Sequence, residues 1–194
     1  RQSLPKLPAI AGIDKFEGHA FHSSRWDYEY TGGQGDGKLT KLKDKRVAII
    51  GTGATAIQIV PALVDRVGQL VLFQRTAQWV LPLANPPYSA DEHAMYRASP
   101  EALQQSYDFW SARFVDTFAR AVIGDQDELH KIEAACRSNL EENVHDPELR
   151  RRLTPDYRAA CKLLIMSDIS YPAVQKPNVT LVTDGIERIE AAGD

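Results

Sequence analysis

One stretch restricts the fold of this chain more than any other: DKRVAIIGTGATAIQIVPALVDRVGQLVLFQR, residues 44–75. KRVAIIG is a short β-branched apolar run ending in glycine, the pattern of a buried parallel strand. After it, Ile57, Val60, Leu63, Val64 and Val67 fall at helical spacing. Pro61 sits inside this helix, where a missing N–H and a crowded preceding turn predict a kink or irregular turn. QLVLFQR then reads as a second strand. Strand, helix and strand in that order form a βαβ unit with a right-handed crossover.

Between the first strand and the helix stands Gly51-x-Gly53-x-x-Ala56. As a bare pattern it is weak, but here a strand precedes it and a helix opens on it. Gly51 allows the tight turn, Gly53 lets a pyrophosphate approach the backbone, and Ala56 keeps the helix close to the strand. The helix N-terminus adds unpaired N–H groups and the positive end of its dipole. The predicted class is α/β, a Rossmann-like parallel sheet with a helical insertion. A dinucleotide is the expected ligand, with Gly51, Thr52, Gly53, Ala54, Thr55, Ala56 and Gln58 as candidate contacts. An NAD site usually places an acid ~20 residues after the loop, on the ribose 2′-OH. Here Gln74 and Arg75 stand there instead. A guanidinium attracts a 2′-phosphate that a carboxylate would repel. The expectation is NADP(H), held by Arg75 with Thr76 and Gln78 adding hydrogen bonds.

Residues 1–15 read as an extended arm with Pro5 and Pro8, and TGGQGDGK at 31–38 as a flexible turn. Residues 90–150 look predominantly helical and interrupt the sheet. Within them Tyr107, Trp110, Phe114 and Phe118 follow a helical rhythm, which predicts core over a ligand platform. Beyond LTPDY, KLLIM reads as a strand, SDISYPAVQ as a short helix or turn, and NVTLVTD and GIERIE as two strands. The expected organisation is a linker arm over 1–40 and a nucleotide-binding domain over 41–194, with the helical insertion at about 90–150. A net charge of −3 with interspersed signs argues against a nucleic-acid groove or a basic membrane face. No apolar run approaches the ~20 residues of a membrane helix. Cys136 and Cys161 match no metal-ligand spacing and read as two thiols. No metal is expected, and the expected compartment is the cytoplasm.

Phe16-x-Gly18-x-x-x-His22-x-x-x-Trp26-Asp27, followed by Gly51-x-Gly53-x-x-Ala56, resembles the signature of Baeyer–Villiger monooxygenases and related flavin-containing monooxygenases. LPKLPAIAGIDKFEG is similar to that family's domain linker, FQRTAQWVLP to its second strand and following loop, and LTPDYRAACK with SDISYPAVQKPNVTLVTDGIERI to the end of its NADP domain. The resemblance implies an FAD-dependent oxygenation driven by NADPH and O₂, acting on a ketone or a heteroatom of a small organic substrate. It implies a gating role for His22 and places Lys162 near the 2′-phosphate. The flavin-binding glycine motif is absent, so the chain reads as the NADP domain of a longer protein whose FAD domain is its partner. FAD binding by this chain itself is not expected. Typical members carry arginine directly after the CK pair to stabilise negative charge. Here that position is Leu163, which cannot supply it. Two other readings stand beside the monooxygenase: an NADPH oxidase-like or heteroatom-hydroxylating flavoprotein, and a non-enzymatic module that senses or binds NADP(H).

Overall fold

The computed structural model describes residues 7–33, 37–83 and 86–193. Pro5 of the arm and residues 34–36 of the glycine-rich turn lie outside them. In chain order the elements are α1 (Tyr28–Thr31), β1 (Arg46–Ile50), α2 (Ala54–Leu63), β2 (Gln69–Phe73) and β3 (Val80–Leu81). Then come α3 (Ala90–Ala98), α4 (Pro100–Phe114), α5 (Arg120–Val122), α6 (Gln126–Asn143) and α7 (Pro147–Leu153). The chain closes with β4 (Ile165–Met166), α8 (Ser170–Val174) and β5 (Val179–Val182). They form two compact units, Arg1–Thr76 with Pro172–Asp194, and Ala77–Tyr171.

The first unit holds a parallel sheet in the order β1-β2-β5. Ile50 lies opposite Phe73, and Phe73 opposite Val182. β2 is central, and Leu70, Val71 and Leu72 are buried with Val60, Leu63 and Val64 of α2. β1 departs from the expected buried strand. It pairs on one side only among the described residues, its residues alternate between half-buried and exposed, and Ile50 is 50% exposed. α2 runs through Pro61 to Leu63, so proline does not end it there. Two carbonyls at and beyond its C-terminus are satisfied from afar, because Asn178 Nδ2 donates to Val64 O at 2.7 Å and Val67 O at 3.3 Å. GIERIE is not a strand. Its contribution is an isolated bridge between Arg188 and Ala11, with Ile189 N–H donating to Ala11 O.

The second unit is mainly helical, as its sequence predicts. Its helices start where capping residues dictate: Ser89 and Glu92 form a reciprocal capping box on α3, Ser99 precedes Pro100 on α4, and Asp146 precedes Pro147 on α7. A core of Trp79, Ala121, Leu129, Ile132, Cys136, Ala159 and Leu164 lies under α6. The short parallel pair β3–β4 is tied to α6 by Asn139, whose buried amide donates to Val80 O at 3.0 Å. The aromatic stripe is not core, contrary to its spacing. α4 buries none of its residues, and Tyr107, Trp110 and Phe114 are mostly exposed. Only Phe118, in the π-helical turn after α4, packs against the core cluster. Helical spacing makes an apolar face but does not supply the surface that covers it.

Candidate functional site

In the first unit, the loop between β1 and α2 lies at the carboxyl end of the sheet, where open α/β sheets bind ligands. Gly51 holds φ at +101°, a conformation that side chains strain to adopt. Its N–H donates to Phe73 O at 2.9 Å, which locks the turn to the end of β2. Gly53 is the N-cap of α2 and supplies no side-chain cap, so the first N–H groups of the helix are not closed by a side chain. A Cβ placed on Gly51 or Gly53 would meet nothing within 4 Å. An open cradle at an uncapped helix start fits a pyrophosphate.

The flanking residues divide between support and exposure. Thr52 is buried, and its hydroxyl donates to Thr76 O at 3.0 Å, bracing the loop after β2. Ala56 is buried, as close helix–sheet packing requires, whereas Thr55 is exposed. Gln58 is exposed and donates back to Ala54 O at 2.8 Å. Gln74 is buried, its N–H bonded to Val182 O at 2.7 Å, and Arg75 beyond it is exposed. The strand end therefore presents a guanidinium and no carboxylate.

The Phe16–Asp27 stretch is a compact turn, not a continuous helix, so His22 and Trp26 do not share a helix face. The Phe16 ring lies where a side chain at Gly18 would go, which accounts for the F-x-G spacing. His22 caps a 3₁₀ turn over Ser23–Arg25. Its Nδ1 accepts from Ser24 N–H at 3.1 Å and sits 2.9 Å from Ser24 Oγ, leaving Nε2 to carry the proton of the neutral ring. Trp26 Nε1 donates to Thr31 Oγ1 at 3.1 Å. Asp27 caps α1, accepting from Tyr30 N–H at 2.8 Å, and its second oxygen accepts from His19 Nε2 at 2.8 Å. The Tyr30 N–H, with help from His19, holds the Asp27 carboxyl below its ordinary value despite partial burial. His19 also stacks on Tyr30 at 3.9 Å between centroids.

Gln78 and Lys162 belong to the second unit, where Tyr157 brings them together. The Tyr157 hydroxyl donates to Gln78 Oε1 at 3.4 Å, and Lys162 Nζ sits 4.1 Å from the Tyr157 ring centroid. The segment is anchored on both sides. Trp79 Nε1 donates to Tyr157 O at 2.7 Å. Glu133 Oε1 accepts from Arg158 Nε at 2.6 Å and from Ala159 N–H at 2.9 Å. Arg158 is thus committed to a buried carboxylate, while Leu163 is 73% exposed.

Residues 2–99 match the family model described as flavin-binding monooxygenase-like. The chain belongs to this family. It is 43% identical over 189 residues to an uncharacterised monooxygenase of Mycobacterium tuberculosis, covering 97% of this chain and 36% of that one. A Baeyer–Villiger monooxygenase of Streptomyces coelicolor is 40% identical over 191 residues, covering 98% of this chain and 34% of that one. Among solved structures, a polycyclic ketone monooxygenase of Thermothelomyces thermophila superposes with a TM-score of 0.81 at 27% identity, over 97% of this chain and 36% of that one. OTEMO in complex with FAD and NADP does so with a TM-score of 0.74 at 27% identity, over 98% of this chain and 42% of that one. The chain spans about a third of the length of the curated relatives it matches.

Sequence reasoning missed His19, Glu133 and Tyr157. Glu133 had a readable signal: it falls on the apolar face of α6 with Leu129, Ile132 and Cys136, and a buried acid demands a partner. Nothing local pointed to His19 or Tyr157.

Proposed function

We propose that this chain binds NADP(H), with the pyrophosphate on the β1–α2 loop and the 2′-phosphate met by Arg75. The observation that carries this reading is the open, uncapped glycine cradle followed, at the end of β2, by an exposed arginine where an NAD site would carry an acid. Gly51, Gly53 and the first turn of α2, Ala54 to Ala56, form the cradle. Thr52 shapes it from beneath through Thr76, and Gln58 steadies the first turn. In a longer protein of the family, NADP(H) supplies hydride to FAD held by a separate domain, and O₂ and a small organic substrate complete the reaction. His22 has a gating role there, supported by an exposed ring whose Nδ1 is already committed to the turn. The organisation into a linker arm over 1–40 and a nucleotide domain over 41–194 belongs to the same proposal, as does a cytoplasmic location. Among the described residues no helix is long and apolar enough to cross a membrane.

Calorimetric titration of the chain with NADPH and NADH tests the proposal. NADPH is expected to bind at least tenfold more tightly, in line with one charge-assisted pair of about 1.5–3 kcal/mol. Equal affinities, or no binding of either, would refute it.

A second reading rests on the Leu163 position. With Leu163 neutral and exposed and Arg158 bound to Glu133, neither supplies a free cation beside Lys162. This favours NADPH oxidation or heteroatom oxygenation over insertion of oxygen beside a ketone carbonyl. In a protein of the relatives' length, Leu163→Arg is then expected to raise ester or lactone yield per NADPH consumed. An unchanged yield removes this reading.

A further inference from the structure

We propose that Thr52, although it stands in the glycine loop, is a positioning residue for Arg75 and so sets the preference for a 2′-phosphate, an inference that rests on the NADP(H) reading above. Arg75 is exposed, and among the described residues nothing pairs with its guanidinium. Its placement therefore comes from the backbone on either side of it. Before it, Gln74 is buried and its N–H donates to Val182 O at 2.7 Å. After it, Thr76 O accepts from Thr52 Oγ1 at 3.0 Å. β2 ends at Phe73, and the chain bends at Arg75 and Thr76. The sheet ladder thus stops short of the bend, and the Thr52 hydroxyl is a tie beyond it.

The tie is a firm one. Thr52 is 7% exposed, its β-branched side chain is stiff at χ1, and a buried hydroxyl is costly without a partner. The residue before it is fixed as well, since Gly51 N–H donates to Phe73 O at 2.9 Å. Successive residues of the glycine loop therefore bond to the chain on both sides of Arg75. An arginine on a loose bend would lose backbone and rotamer freedom on engaging a phosphate. A bend fixed beforehand removes part of that loss. The consequence falls on one nucleotide. NADPH and NADH share the pyrophosphate and differ in the 2′-phosphate. A residue that served only the pyrophosphate cradle would support both alike, whereas one acting through Arg75 supports NADPH alone.

The test is calorimetric titration of the full chain with NADPH and NADH, and with 2′,5′-ADP and AMP, which differ only in the 2′-phosphate. Thr52→Val keeps the side-chain shape and removes the hydroxyl. It is expected to weaken NADPH and 2′,5′-ADP binding roughly three- to tenfold, the net worth of one hydrogen bond, and to leave NADH and AMP binding unchanged. Thr52→Ser retains the hydroxyl and is expected to stay near the unsubstituted affinity. In an Arg75→Ala background, Thr52→Val is expected to have no further effect. Equal losses for both nucleotides, losses that multiply independently, or undiminished NADPH binding would overturn the proposal. A second measurement needs no substitution. The Thr52 methyl resonance of the unsubstituted chain should move further with 2′,5′-ADP than with AMP. The same movement with both would overturn the proposal even with nucleotide binding intact. Failure of the unsubstituted chain to bind either nucleotide would overturn the NADP(H) reading, and this inference with it.

Discussion

Removing Arg158 should destabilise the chain in a way that depends on pH. Glu133 lies on the buried face of α6 with its side chain 10% exposed, and one oxygen accepts from both Arg158 and the Ala159 N–H. Breaking a fully buried ion pair by deleting one partner costs about 3–5 kcal/mol, because a charge is left uncompensated. Here the Arg158 side chain is 47% exposed, so solvent screens part of the attraction and water can reach the vacated place. The Ala159 N–H also remains. The loss should therefore fall nearer that of one charge-assisted hydrogen bond, about 2 kcal/mol, or roughly 4–8 °C in Tm for a chain of this size. Burial pushes the Glu133 carboxyl up, but Arg158 and the Ala159 N–H outweigh it and hold the group below its ordinary value of 4.5. A lowered carboxyl contributes stability that is complete above its unfolded value and is lost as pH falls through the folded one. In Arg158→Ala burial prevails, the carboxyl rises, and once protonated it needs no cation. The deficit should be largest at pH 7 and shrink as pH falls through the variant's raised value toward the lowered one of the unsubstituted chain. Urea denaturation of both proteins at pH 7 and near pH 4, followed by circular dichroism, measures it. An equal deficit at both pH values, or no deficit at pH 7, would refute the reasoning.

Arg75→Ala should weaken NADPH binding roughly tenfold to a hundredfold and NADH binding little, since one charge-assisted pair is worth about 1.5–3 kcal/mol. Titration with both nucleotides checks this, and parallel losses would make Arg75 structural. Gly53→Asp should separate folding from binding. It gives α2 the side-chain cap it lacks, in space that is open, so stability should hold or rise by about a few tenths of a kcal/mol. Its charge would occupy the pyrophosphate position and abolish nucleotide binding. A variant that melts normally and binds NADPH as before would place the nucleotide elsewhere. Burial pushes the Cys136 thiol up to about 12, while Cys161 is exposed. At pH 7.5 a maleimide should therefore label Cys161 alone in the native chain and both cysteines in denaturant, a result read by mass spectrometry. Native labelling of Cys136 would mean that the α6 core opens readily.

Several features were legible in the sequence because they depend on neighbours in the chain. The β1–α2–β2 unit follows from an apolar run, a left-handed glycine and a helical pattern within residues 44–75. The helical character of residues 90–150 was readable for the same reason, and the caps Ser89, Ser99 and Asp146 that start α3, α4 and α7 reach only to the next turn. The identity of Arg75, where an acid would select NAD, was likewise readable from its distance to the glycine loop. The partners these elements find were not legible. β2 takes β5 as its second neighbour across the whole helical insertion, and no local pattern specifies which strand closes a parallel sheet. The apolar run of β1 and the aromatic rhythm of α4 both announced burial, yet β1 lies half-exposed and α4 buries nothing. Periodicity states which side of an element is apolar. Only the tertiary structure states whether another surface lies against it. The same holds for charge: Arg158 stands four residues before Lys162 in the sequence, and only the fold brings Glu133 of α6 within 2.6 Å of it. A side chain's chemistry is set by its type, but its availability is set by what the folded chain brings into contact with it.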